Sequence, residues 1–131
     1  MWKILIVDDD SANRKLIRHQ LGKDCACDEA ADGALALDAY RMAKKLESPY
    51  DAILLDVQMP VLDGISVLKT IREEEKNTGL SPKETIPIVI LTAYEEHRSE
   101  CKKFQADDFL VKPYNPYILV TTLQRCMDIR K

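Results

Sequence analysis

Asp8, Asp9 and Asp10 stand in a row directly behind the apolar run Ile4-Leu5-Ile6-Val7. Carboxylates this close repel one another, more strongly where water is partly excluded. A bound cation offsets that repulsion, and oxygen-only donors suit Mg²⁺ or Ca²⁺. A second apolar run, Ala52-Ile53-Leu54-Leu55, ends in a further acid, Asp56. Two strand-like segments that deliver acids from their C-terminal ends point to one acidic metal pocket.

The elements that must position these groups follow from the pattern of apolar runs, which alternates five times with longer amphipathic stretches. Strands are expected over 3–7, 26–30, 51–55, 86–91 and 109–111, the second weaker and the last with an alternative start at Asp107. A helix capped by Ser11 has Ala12, Leu16, Ile17 and Leu21 among its apolar positions and ends at Gly22. After the turn Asp32-Gly33 comes a helix over 34–45, then one from Asp63 and Gly64 to about Lys76. A loop punctuated by Gly79, Pro82 and Pro87 follows, then a charged helix over 95–104. Asn115 caps the last helix with Pro116 at its first position. Arg125, Arg130 and Lys131 near its end suit the helix dipole and are not read as a nucleic-acid patch. Near-continuously apolar strands in β-α units predict a parallel sheet covered on both faces, with right-handed crossovers. Ligands of such sheets sit beyond the C-terminal strand ends. The polar residues fall there: the three acids, Asp56, Thr92 and Lys112.

The chain of 131 residues suffices for one domain with a single core. Its 46% apolar and 31% charged residues are those of a soluble globular protein. A net charge of −3 offers no global attraction to nucleic acid or anionic membrane. The N-terminal apolar run is shorter than a signal peptide's roughly 7–15 residues or the about 20 of a membrane helix. A cytoplasmic protein is expected. Cys25, Cys27, Cys101 and Cys126 lack a C-x-x-C spacing and read as reduced thiols. Neither His19 nor His97 lies at a zinc-ligand spacing from them.

The segments Val7-Asp8-Asp9-Asp10, Leu55-Asp56-Val57-Gln58-Met59-Pro60-Val61-Leu62-Asp63-Gly64, Leu91-Thr92-Ala93 and Val111-Lys112-Pro113 occur in this order along the whole chain. Together they resemble the receiver domain of two-component response regulators. The resemblance implies a single CheY-like receiver over 1–131. Its fold would be α/β, a doubly wound five-stranded parallel sheet of (βα)5 type with strand order 2-1-3-4-5. It implies Asp56 as phosphoacceptor, fed by a histidine kinase or histidine phosphotransfer protein. Asp8, Asp9, Asp56 and the Gln58 carbonyl would hold Mg²⁺. Lys112 would pair with the phosphoryl group, aimed inward by a cis bond to Pro113. Such a domain is not a conventional enzyme. It catalyses only its own phosphorylation and dephosphorylation.

The family also implies a switch. The Thr92 hydroxyl would swing toward the phosphoryl oxygens. Phe109, three before Lys112, would rotate into the vacated space, on packing alone because it lacks a hydroxyl. The face of helix four, strand five and helix five would respond and dock a downstream protein target. Gln58 and Tyr94, two after Asp56 and Thr92, would flank the path of attacking water, and the bulk of Tyr94 predicts slow hydrolysis. Asp10 reads as a helix cap and Gly64 as a turn residue. Asn13, Arg14 and Ile17 are expected to touch the phosphodonor. One departure stands out: Gln105-Ala106 replaces the usual Gly-Ala before strand five. Gln is strained at positive φ, so a differently built exit from helix four is expected.

Rival readings are a receiver segment of a hybrid histidine kinase or larger regulator, and a phosphorylation-independent binding module. A haloacid-dehalogenase-type phosphatase wants a second acid two residues after the nucleophile, where Gln58 stands. A flavodoxin-like electron carrier wants a hydroxyl- and glycine-rich loop where this chain is acidic. A homodimer is left open. Direct nucleic-acid or membrane binding is not expected.

Overall fold

The computed structural model describes residues 1–59 and 61–129; Pro60, Arg130 and Lys131, named above, lie outside the described residues. Five strands, β1 (Trp2–Val7), β2 (Cys25–Ala30), β3 (Ala52–Asp56), β4 (Ile88–Thr92) and β5 (Asp108–Val111), form one parallel sheet in the order β2-β1-β3-β4-β5. The helices are α1 (Ser11–Leu21), α2 (Gly33–Lys45), α3 (Gly64–Asn77), α4 (Arg98–Lys103) and α5 (Pro116–Ile129). The expected class and strand order are thus observed.

Side chains alternate across the central strands, as a period of two requires. Leu5, Val7, Ile53, Leu55, Ile88 and Ile90 pack with α2, α3 and Cys101 of α4 on one face. Ile4, Ile6, Leu54, Val89 and Leu91 pack with Ile17 and Leu21 of α1 and with Leu119 and Leu123 of α5 on the other. Each fully buried Leu or Ile stabilises the fold by about 1.5–3 kcal/mol. This double layer covers both faces of the central strands.

Several local expectations are corrected. Of the two cap readings for α1, Asp10 holds and Ser11 does not: the Asp10 side chain accepts from the Ala12 N–H at 2.9 Å. The charged helix near 95–104 is two pieces, a single 3-10 turn over Glu95–His97 followed by the short α4. Arg125 pairs with Asp108 and so ties α5 to the start of β5, and among the described residues the last turn of α5 carries no basic side chain. The exit from α4 is not built differently. Gln105 takes φ 69 as a glycine would, and its strain is offset by bonds on both sides. Its N–H donates to Lys102 at 3.0 Å, and its carbonyl accepts from Arg72 Nε at 3.1 Å.

Candidate functional site

Register alone brings the polar strand ends together. Val7 pairs with Leu55, so Asp8 emerges beside Asp56. Asp56 pairs with Leu91, and Thr92 pairs with Val111, so Thr92 and Lys112 complete the rim. The strand order reverses direction around β1, which opens the crevice where ligands of open α/β sheets bind. An open cleft of ≈ 920 Å³ lies over this edge, lined by Asp9, Asp56, Gln58, Thr92, Tyr94 and Lys112 among others.

Asp8, Asp9 and Asp56 each offer a carboxylate oxygen within 4.8 Å of the others. Asp8 is buried; its Oδ1 accepts from the Asp10 N–H at 2.9 Å and its Oδ2 from Lys112 Nζ at 3.2 Å. Lys112 Nζ also stands 3.6 Å from Asp56 Oδ2, so one ammonium bridges two acids. The cis peptide between Lys112 and Pro113 is present, as expected. The Lys112 N–H donates to the Thr92 carbonyl at 2.7 Å, which fixes the main chain from which the ammonium reaches in.

Asp56 accepts from the Gln58 N–H at 3.3 Å. Burial raises the Asp56 carboxyl above the ordinary carboxylate range; nearby Asp8 and Asp9 push the same way. Lys112 and the Gln58 N–H oppose them. Three neighbouring carboxylates, only two of them bridged by the one ammonium, form a site with unmet demand for positive charge. Its donors are all hard oxygens, the set that suits a small divalent cation.

The remaining predicted residues divide. Thr92 is fully buried and its Oγ1 accepts from the Tyr94 N–H at 3.3 Å. Tyr94 and Gln58 are exposed on the cleft wall, where Tyr94 meets His97 edge-on with ring centroids 6.1 Å apart. Asp10 is spent on capping α1. Phe109 is buried in the core, and the Arg98 guanidinium lies 4.7 Å from its ring centroid. Packing is therefore not its sole restraint, because a cation over an aromatic face adds attraction. Ile17 cannot touch a phosphodonor; it is 3% exposed, in the core under α1. Arg14 turns inward as well, donating to the Asp8 carbonyl at 2.6 Å.

Sequence reasoning missed the part played by Gly64. A Cβ there would stand 2.1 Å from the Asp56 carbonyl oxygen, nearer than any real contact. The glycine serves close approach of α3 to the strand that carries Asp56, and its N–H donates to the Val57 carbonyl at 2.9 Å. Its position directly after the capping Asp63, whose side chain accepts from the Ser66 N–H at 2.8 Å, was the available signal.

Comparison with known proteins adds independent findings. The model of the response regulator receiver domain matches residues 4–124. The chain is 43% identical to the transcriptional regulatory protein ResD of Bacillus subtilis, over 87% of this chain and 43% of ResD. It is 38% identical to hybrid signal transduction histidine kinase I of Dictyostelium discoideum, over 98% of this chain and 8% of that one. The chain thus spans less than half the length of these relatives. Among solved structures it resembles the response regulator TrrA of Thermotoga maritima in complex with Mg²⁺-BeF, with 31% identity and a TM-score of 0.77, covering 96% of this chain and 99% of that one.

Proposed function

Because this chain belongs to the response regulator receiver family of two-component signalling, we propose that it is a phosphoacceptor unit over 1–131 with Asp56 as the acceptor. A cytoplasmic histidine kinase or phosphotransfer protein supplies the phosphoryl group. The observation that carries the reading is the bridging of Asp8 and Asp56 by Lys112, with Asp9 in the same cluster at one open cleft. Among the described residues no helix is long and apolar enough to cross a membrane.

In the reaction an Asp56 carboxylate oxygen attacks phosphorus in line. The P–N bond of the phosphohistidine breaks, and its electron pair stays on the imidazole. An aspartyl phosphate results. Asp8, Asp9, Asp56 and the Gln58 carbonyl would hold Mg²⁺; when bound, the ion supplies positive charge for the transferring oxygens. Lys112 neutralises a further phosphoryl oxygen. It already stands between the two acids, so little reorganisation is needed. The unit turns over no separate substrate. It transfers the group to itself and loses it to water.

Thr92 Oγ1 then turns from the Tyr94 N–H to donate to the phosphoryl group. The backbone of Tyr94 and the 3-10 turn behind it follow. Through Arg98 this movement reaches Phe109, and the face of α4, β5 and α5 changes toward a downstream protein. Tyr117 and Ile118, exposed at the start of α5, belong to that face. The bulk of Tyr94 on the cleft wall slows attacking water. In keeping with the matched relatives, the unit serves either in a larger regulator or in a hybrid kinase.

Labelling with radioactive acetyl phosphate tests this. Wild type takes up label only with Mg²⁺, and Asp56→Asn takes up none. Label retained by Asp56→Asn would overturn the assignment. A wild type that stays unlabelled at millimolar Mg²⁺ would favour a phosphorylation-independent binding module instead.

A further inference from the structure

The β1–α1 turn has to place two acids against a third despite their repulsion. Asp8 is held at four points. Its N–H donates to the Ala30 carbonyl at 3.1 Å, which extends the β1–β2 ladder by one step. Its two carboxylate oxygens accept from Asp10 and from Lys112. Its carbonyl accepts from Arg14 Nη1 at 2.6 Å, a charge-assisted bond of the stronger kind.

Arg14 is itself held from behind. Glu29, near the end of β2, accepts from Arg14 Nε at 2.9 Å on one oxygen. Its other oxygen accepts from Arg18 Nε at 3.1 Å and Nη2 at 2.7 Å. The Arg14 side chain is only 15% exposed, so its fork is committed to the interior and not to a docking partner. A planar guanidinium can serve Asp8 and Glu29 at once in a way that a lysine cannot.

From this geometry we propose that Arg14 is a positioning residue for the acidic cluster. It fixes the Asp8 carbonyl, and with it the turn that carries Asp8 and Asp9 to Asp56. Glu29 orients Arg14 for that task. This rests on the phosphoacceptor reading above. Arg14 bonds to main chain, so its effect on the ion is transmitted through the shape of the turn.

The sign of the effect separates positioning from simple electrostatics. Removing a nearby cation tightens Mg²⁺ binding if charge alone matters, and loosens it if the turn loses its shape. Isothermal titration with MgCl₂, without phosphodonor, reads this directly. Arg14→Ala should weaken Mg²⁺ affinity about tenfold, as loss of an outer partner of a metal site does. The Mg²⁺ concentration for half-maximal labelling by acetyl phosphate should rise by the same factor. Arg14→Lys keeps the charge but not the fork and should weaken binding about threefold; it decides the matter if Arg14→Ala does not fold. Unchanged or tighter binding in the folded variants overturns the inference. So does a loss confined to transfer from a phosphohistidine protein, which would make Arg14 a docking residue. Either result leaves the phosphoacceptor reading intact while wild type labels; a wild type that neither binds Mg²⁺ nor labels strikes that reading instead.

Discussion

Asp56 is held in a site that disfavours its own charge. Burial and the neighbouring acids raise its carboxyl above the ordinary range, against Lys112. The native state therefore keeps this proton more tightly than the unfolded chain does. The stability it contributes is fully present below the unfolded carboxyl value of about 4 and is lost as pH rises through the higher native value. Asp56→Asn carries no such charge. Without Mg²⁺ its melting temperature should exceed that of wild type at pH 7, and the gap should close toward acid pH. Equal melting at both pH values would show that the site holds three charges without cost. A second residue-scale test concerns Tyr94, which stands at the cleft beside the buried Thr92. Tyr94→Ala should speed decay of the aspartyl phosphate severalfold, followed as loss of label over time. Unchanged decay would remove Tyr94 as a shield.

Among the elements, the end of the sheet remote from the site is tied by one side chain on α3. Arg72 donates to Glu75 at 2.7 Å, to Asp107 at 2.7 Å, and to the carbonyls of Ile86 and Gln105 at 2.9 and 3.1 Å. Glu75, 2% exposed, also accepts from the Ile86 N–H at 2.6 Å. The network joins α3 to the starts of β4 and β5 and to the exit of α4. It fastens these elements to one another at that end of the sheet. Arg72→Met would strand the buried Glu75 carboxylate at a cost of about 3–5 kcal/mol. Urea unfolding should show the loss, and adding Glu75→Gln should recover part of it. A loss under 1 kcal/mol would mean that water replaces the guanidinium.

For the molecule as a whole, the proposed ion binding would be linked to folding, since only the assembled sheet brings Asp56 to Asp8 and Asp9. A ligand that binds the native state alone stabilises it by RT ln(1 + [L]/Kd), about 1.4 kcal/mol at ten times Kd. Titrating MgCl₂ into wild type should raise the denaturation midpoint accordingly. The gain should shrink in Asp9→Asn. An equal gain in both would mean that Mg²⁺ acts elsewhere on the surface.

The chain order of apolar runs was enough to establish the β-α alternation, most plainly at β1, β3 and β4 and more weakly at β2, where Asp28 and Glu29 are exposed, because a parallel strand buried on both faces must be apolar on both. It also placed Asp8, Asp9, Asp56, Thr92 and Lys112 at strand ends, since each polar residue interrupts such a run. What the linear order does not contain is register and side-chain direction. The apolar neighbours Leu16 and Ile17 are told apart only by the packing of α1, which exposes the first, buries the second and turns Arg14 to Asp8. Gln105 adopts a glycine's backbone at a point where distant Arg72 donates to its carbonyl. Gly64 is needed because α3 closes onto Asp56. Contacts between segments far apart in the chain decide these matters, and only the assembled sheet brings them within bonding distance.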